Sequence, residues 1–182
     1  MNFVLDKDAF SSGQVRSKIW LCEQLEKLRW KSEETAVYGG WHGILSFLLL
    51  SRGNFKVSRI RSYDRDPSCQ PIADMINENW VWQEWKFKAF TQDCETLKCS
   101  ADLIINTSTE HFDSDQWFQN ITRGTRVILQ GNNMTHDDHL VKSLSLEDFI
   151  KSYPLTKIKY QGQLDFQYPD WSFSRYMVIG IK

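Results

Sequence analysis

The sequence predicts an α/β protein: a seven-stranded, mostly parallel sheet with helices on both faces and a C-terminal antiparallel hairpin. Three observations predict it. Short β-prone segments alternate with helical ones five times, which implies parallel pairing through right-handed crossovers. Each of these segments ends on a cluster of Gly, Asp or Asn. Only the last two β-prone segments are joined by a connection short enough for a hairpin.

In chain order, residues 1–13 are irregular, and Ser11 and Ser12 offer N-caps for a helix over 14–30. Val15, Ile19, Cys22, Leu25 and Leu28 recur along it at helical spacing and predict one buried face. A first strand over 35–38 runs into Gly39, Gly40, Trp41, His42 and Gly43, then an apolar helix over 44–51 closed by Gly53. A second strand over 57–63 ends on Asp64 and Asp66, and Pro67 suits the start of a helix over 68–79. The third strand, 85–90, ends on Asp93; the fourth, 101–105, ends on Asn106, Thr107, Ser108, Glu110 and His111. A helix over 113–121 and a fifth strand over 125–129 follow, the strand ending on Gln130, Asn132 and Asn133. A short helix over 146–152 precedes the hairpin strands 156–166 and 172–181. No linker or repeat interrupts this order, so residues 1–182 are expected to form one domain: an N-terminal segment and helix over 1–32, and a sheet core over 33–182.

Composition sets the broad class. With 41% hydrophobic and 25% charged residues, and eight Trp, six Tyr and eleven Phe, the 182-residue chain carries enough apolar surface for one core. A net charge of −1 argues against nucleic acid as a partner. The one basic run, Arg52, Lys56, Arg59, Arg61 and Arg65, is better explained as a solvated helix end and strand edge. No apolar run approaches the ~20 residues that span a bilayer, and the first residues lack the basic and apolar regions of a signal peptide. The four cysteines, Cys22, Cys69, Cys94 and Cys99, form no CxxC pair and are expected as reduced thiols. These features together predict a cytoplasmic location without membrane association.

In open α/β sheets ligands bind beyond the carboxyl ends of the strands. All four histidines, His42, His111, His136 and His139, follow the first, fourth or fifth strand, which points to a site there. Gly39, Gly40 and Gly43 allow close backbone approach to a ligand, and the helix that follows favours an anionic group. Asp64 sits where a carboxylate can accept hydrogen bonds from ribose hydroxyls. Asp66 is the better helix cap, and Asp93 falls at the far end of the same crevice.

Gly39-Gly-Trp-His-Gly43, Tyr63-Asp-Arg-Asp-Pro67, Phe90-Thr-Gln-Asp93, Ala101-Asp-Leu-Ile-Ile-Asn106 and Glu110-His111 together resemble the class I S-adenosylmethionine-dependent methyltransferases, a Rossmann-like superfamily. The resemblance covers about residues 33–182, terminal hairpin included. It implies S-adenosyl-L-methionine as cofactor, with Gly39, Gly40, Trp41 and Gly43 at its methionine part, Asp64 at the ribose and Asp93 at the adenine amine. Glu110-His111 is similar to a Glu-His pair found after strand four in many members. Two departures stand out. Trp41 replaces the middle glycine of the usual Gly-x-Gly-x-Gly pattern, and Val37 and Tyr38 stand near the place of its preceding acid. Residues 106–109 also lack the prolines and aromatic of the subgroups that methylate adenine or glutamine amines.

The expected activity is methyl transfer to a small-molecule acceptor rather than nucleic acid. His111 is the candidate base, oriented by Glu110, while Asn106 and Asn132 are candidates for positioning the acceptor. Phe3 and Phe10 are candidates to cover the ligand mouth as a lid. Three alternatives remain open at this level: a protein that binds the cofactor without turnover, transfer of another group from the same cofactor, and a metal-dependent enzyme. The last would use Glu110, His111, His136 and His139, with His136-x-x-His139 on one helical turn.

Overall fold

The structure is a computed structural model of the chain and describes residues 4–135, 137, 139–141 and 143–182. The strands are β1 (Lys31–Tyr38), β2 (Lys56–Asp64), β3 (Phe87–Thr91), β4 (Leu103–Asn106), β5 (Arg126–Asn132), β6 (Lys157–Gln167) and β7 (Ser172–Ile181). They form one sheet in the order β3-β2-β1-β4-β5-β7-β6. The first five strands pair in parallel, and β7 lies antiparallel between β5 and β6. The helices are α1 (Ser12–Leu28), α2 (Ile44–Arg52), α3 (Cys69–Ile76), α4 (Glu78–Val81), α5 (Gln116–Gln119) and α6 (Leu146–Ser152).

Successive strand residues point to opposite faces, and the central strands bury both. Val37, Ile105, Ile128 and Ile179 pack with Leu21 and Leu25 of α1, Leu45 and Leu49 of α2 and Ala73 of α3. On the other face Tyr38, Ile104, Val127 and Val178 pack with Trp117 and Phe118 of α5 and Phe149 of α6. The expected two-sided cover is therefore present. Its strand order also reverses direction between β1 and β4, which opens a crevice at their carboxyl ends.

Several boundaries differ from those the sequence predicts, each for a local reason. Residues 7–10 are not irregular but form a 3-10 turn, and α1 starts at Ser12 with Ser11 as its cap. Helix α1 ends at Leu28, because Arg29 turns left-handed at φ 52 and donates its N–H to Glu26 O. Strand β1 starts four residues early, at Lys31, where it pairs with Lys56 of β2. The helix expected over 68–79 breaks at Asn77, whose buried Nδ2 donates to Ala73 O at 2.9 Å and Gly43 O at 3.1 Å. Left-handed Glu84 and Trp85 delay β3 to Phe87. The helix expected over 113–121 shrinks to four residues, since Asp113 pairs with Arg65 and Ser114 donates to Glu95.

Four of the five cations of the basic run form ion pairs, two of them sharing one carboxylate. Arg52 pairs with Glu26, Arg59 and Arg61 with Glu34, and Arg65 with Asp113. Among the described residues no helix is long and apolar enough to cross a membrane. All four cysteines are free thiols, and burial pushes the pKa of Cys22, Cys69 and Cys94 up to about 12.

Candidate functional site

A cavity of about 530 Å³ opens at the carboxyl ends of β1, β2, β3 and β4, and His42, His111 and His139 all line it. His136 lies outside the described residues. The turn from β1 into α2 forms one wall. Gly39 and Gly43 adopt φ +60 and +74, and so does Trp41, at φ 47, in the region that favours glycine. A Cβ on Gly43 would stand 2.7 Å from Asn77 Nδ2 and 3.3 Å from the Ala73 backbone, so glycine here lets α2 approach α3. The Trp41 ring stacks on His42, with centroids 4.8 Å apart. His42 Nε2 accepts the Asp6 N–H at 3.3 Å, which leaves the ring proton on Nδ1. Burial lowers the pKa of this imidazole, against the raising influence of Asp6, Asp64 and Asp66.

Asp64 closes the floor of this wall. One carboxylate oxygen accepts the Trp41 N–H at 2.8 Å and the other accepts the Asp66 N–H at 3.0 Å. Each oxygen keeps a second lone pair for a ligand hydroxyl. Asp66 caps from outside α3, its side chain accepting the Ser68 N–H and its carbonyl the Cys69 N–H. Exposed Asp93 lies on the rim after β3 and accepts the Glu95 N–H. Arg65 and Asp113, both exposed, form an ion pair at 2.8 Å on the same rim.

The opposite wall follows β4 and β5. Glu110 is only 3% exposed. Its Oε1 accepts from Asn132 Nδ2 and lies 3.6 Å from Arg175 Nη1, while Oε2 has no hydrogen-bond partner among the described residues. His111 is exposed at the cavity, edge to face with the half-buried His139 ring at 4.9 Å. His139 Nδ1 contacts Met134 O at 2.8 Å, and the expected His136-x-x-His139 turn falls partly outside the described residues. Asn106 does not line the cavity. It is fully buried, and its Oδ1 accepts the Ser108 N–H at 2.9 Å, fixing the turn that presents Thr107 and Ser108. Asn132 is likewise committed, gripping Glu110 with its nitrogen and the Met134 N–H with its oxygen.

Three residues of this site were not anticipated from sequence. Gln14 and Lys18 of α1 line the cavity, with Lys18 Nζ donating to Gln14 Oε1 at 2.5 Å. Lys18 is 8% exposed, and burial, reinforced by Arg175, brings its pKa down to about 7 despite Glu110 and Asp8. Arg175 of β7 donates to Thr107 O at 3.2 Å beside Glu110. Their signal in the sequence is slight. Gln14, Lys18, Leu21 and Leu25 form one helical stripe whose N-terminal half turns polar where it crosses the cavity, and Arg175 directly precedes the apolar run Tyr176–Ile179 of β7. The N-terminal cover also differs from expectation. Phe3 lies outside the described residues, and Phe10 is 52% exposed and away from the cavity, which Asp6 and Asp8 line instead.

No family model matches the chain, and no curated protein sequence matches it. Solved structures do match. The N-methyltransferase NodS from Bradyrhizobium japonicum WM9, in complex with S-adenosylhomocysteine, gives a TM-score of 0.69 at 10% identity over 93% of this chain and 88% of that one. Magnesium protoporphyrin IX methyltransferase from Synechocystis PCC 6803, with bound S-adenosylhomocysteine, gives 0.70 at 13% over 99% and 90%. Geranyl diphosphate C-methyltransferase from Streptomyces coelicolor A3(2), with Mg2+, geranyl diphosphate and S-adenosylhomocysteine, gives 0.67 at 10% over 92% and 80%. Sheet order, terminal hairpin and these superpositions agree: the chain has the fold of the class I S-adenosylmethionine-dependent methyltransferases.

Proposed function

We propose that the protein is an S-adenosyl-L-methionine-dependent methyltransferase acting on a small-molecule acceptor. The observation that carries this reading is the single cavity in which Gly39, Gly40, Trp41, Asp64 and Asp93 face Glu110 and His111. The cofactor-binding role falls on the turn Gly39–Gly43, on Asp64 for the ribose and on Asp93 for the adenine. The solved neighbours support the cofactor, two of them carrying S-adenosylhomocysteine at their own sites with porphyrin and geranyl diphosphate among their substrates.

Bound in this cavity, the cofactor supplies a methyl group on a positively charged sulfur. The chain's residues then contribute alignment, because methyl transfer is a displacement that needs the acceptor in line with the leaving sulfur. Asp64 holds the nucleoside end through its two remaining lone pairs, and the Gly39–Gly40 backbone permits close approach. Glu110 and His111 form the acceptor wall. Where the acceptor is a hydroxyl or a protonated amine, His111 Nδ1 or Nε2 is within the cavity to take its proton. Glu110 is fixed beside it by Asn132 and Arg175. Asn106 contributes at one remove, by holding the Ser108 turn. Asp6 and Asp8 of the N-terminal segment add two carboxylates to the lining of the cavity.

Isothermal titration with S-adenosylhomocysteine, followed by transfer of labelled methyl to a panel of small hydroxyl, amine and carboxylate acceptors, tests the reading. Saturable binding with transfer is expected. No binding at millimolar ligand by the folded protein overturns it, and binding without transfer on a broad panel reassigns the protein as a cofactor-binding module.

A further inference from the structure

We propose that Glu110, His111 and His139 bind one divalent transition cation of the zinc or manganese class, open to the cavity, where it takes an oxygen of the acceptor as a further ligand. Each of the three side chains offers a donor atom, and these atoms lie within 4.8 Å of one another. Donors on a common cation at about 2.1 Å stand about 3.4 Å apart in a tetrahedral set. The remaining closure is within reach of the exposed His111 ring through rotation about its side-chain bonds.

Two independent features mark this as a ligand set rather than a chance cluster. The first is Glu110. A carboxylate 3% exposed is a costly group to bury with an oxygen unsatisfied. Asn132 and Arg175 both address Oε1, and Oε2 has no partner among the described residues. A cation on the second oxygen would complete its coordination. The second feature is His139. Its Nδ1 faces Met134 O at 2.8 Å, the outer contact that fixes the ring of a metal-binding histidine and directs Nε2 to the metal. Asn132 supports both ligands at once, through its nitrogen on Glu110 and its oxygen on the Met134 N–H.

The donor chemistry narrows the ion. Two imidazoles and one carboxylate suit zinc, manganese or ferrous iron, whereas magnesium and calcium favour oxygen-only sets. Three protein ligands leave at least one position open, as in catalytic rather than structural sites. All three residues line the cavity, so that position faces the acceptor. The acceptor then carries an oxygen donor, a hydroxyl or a carboxylate, and Glu110 and His111 act on it as ligands of the cation, which replaces the direct-base role of His111. This assignment of the acceptor rests on the methyltransferase reading; the cation site does not.

The test uses full-length protein without a polyhistidine tag, stripped with EDTA and dialysed. Titration with Zn2+ by calorimetry, and with Co2+ by visible absorption, should give one cation per chain. His111→Ala and His139→Ala should each weaken it at least tenfold. His111 is exposed, so its variant should melt as the wild type does and keeps the test independent of folding. Substoichiometric binding, or affinity unchanged in both variants, overturns the proposal. Titrating S-adenosylhomocysteine into the stripped protein separates the two readings. Nucleoside binding without cation binding removes this inference alone, and cation binding without nucleoside binding leaves the site standing while removing the methyltransferase.

Discussion

Asp64 at the end of β2 accepts the backbone N–H of Trp41 at 2.8 Å, and Trp41 holds φ 47. The acid that the resemblance assigns to a ligand ribose therefore also clamps the turn that replaces a glycine-rich loop. A tryptophan in the left-handed region costs about 1–2 kcal/mol relative to glycine. The hydrogen bond to Asp64 and the stacking on His42 offset that strain.

Asp64→Ala removes both the clamp and the acceptor for ligand hydroxyls. Affinity for S-adenosylhomocysteine should fall by about 1.5–3 kcal/mol, the range for hydrogen bonds to a charged group. Melting temperature should fall too, because the Trp41 and Asp66 N–H groups lose their acceptor. Unchanged nucleoside affinity in a folded variant would remove Asp64 from the site.

Two glycines separate steric from conformational cost. Gly43 and Gly53 both end or start a helix at positive φ, +74 and +70. A Cβ at Gly43 meets Asn77 and Ala73, whereas at Gly53 nothing lies within 4 Å. Gly53→Ala should cost about 1 kcal/mol from backbone strain alone, and Gly43→Ala about 2–4 kcal/mol as overpacking adds to it. Denaturant unfolding of the two variants measures the difference. Equal losses would show that α2 and α3 are not in close contact at this turn.

Most of the fold was legible because it is local. Thr35–Tyr38, Val57–Tyr63 and Ser172–Ile181 announce themselves by β-branched and aromatic residues between polar clusters, and the structure places strands on all three. What escaped was set by distant partners. Gln130, Gly131 and Asn132 look like a loop but are strand, because β7 pairs with them through Met177, Tyr176 and Arg175. Asn77 looks like helix interior and instead breaks the helix to satisfy Gly43 O. At the site, the glycine turn, Asp64, Asp93, Glu110 and His111 were visible as strand-end residues. Lys18 was hidden, since a lysine in an amphipathic helix is ordinarily solvated. Only the sheet edge beyond it, supplied by Arg175 and Glu110 from far along the chain, makes its face an interior one.

The N-terminal segment docks through Asp6 N–H on a neutral His42 ring. Burial holds the folded-state pKa of His42 below the usual imidazole value, so the unfolded chain takes up the proton first as pH falls. This contribution is present above about pH 6.5 and is lost below it. Protonated His42 cannot accept the Asp6 N–H. Protease sensitivity and amide exchange around Asp6 should therefore rise between pH 7 and about 5.5, and His42→Gln should flatten that dependence. Deleting residues 1–8, which keeps buried Ala9 and the Ser11 cap, should raise the dissociation constant for S-adenosylhomocysteine with little change in melting temperature. Unchanged affinity would show that Asp6 and Asp8 do not cover the ligand.

Lys18 makes the strongest pH prediction, because its pKa moves from 10.5 to about 7 on folding, chiefly by burial. Between those values the unfolded chain binds the proton and the folded chain does not, so stability rises with pH across that window. Below about pH 7 both states carry the charge, and the folded state bears the full cost of burying it. Lys18→Met keeps an unbranched apolar stem at this buried position and removes that cost. The variant should exceed the wild type in stability most at pH 6.5. The advantage should shrink by about 2–3 kcal/mol by pH 9, the free energy of a shift spanning that interval. Denaturant unfolding at the two pH values measures it, with Glu110 keeping Arg175 and Asn132 as partners in both proteins. A constant difference between pH 6.5 and 9 would mean that Lys18 stays charged when folded and belongs to a solvated face. A variant that is more stable yet binds S-adenosylhomocysteine at least tenfold more weakly would show that the buried amine is retained for the ligand, at the expense of the fold.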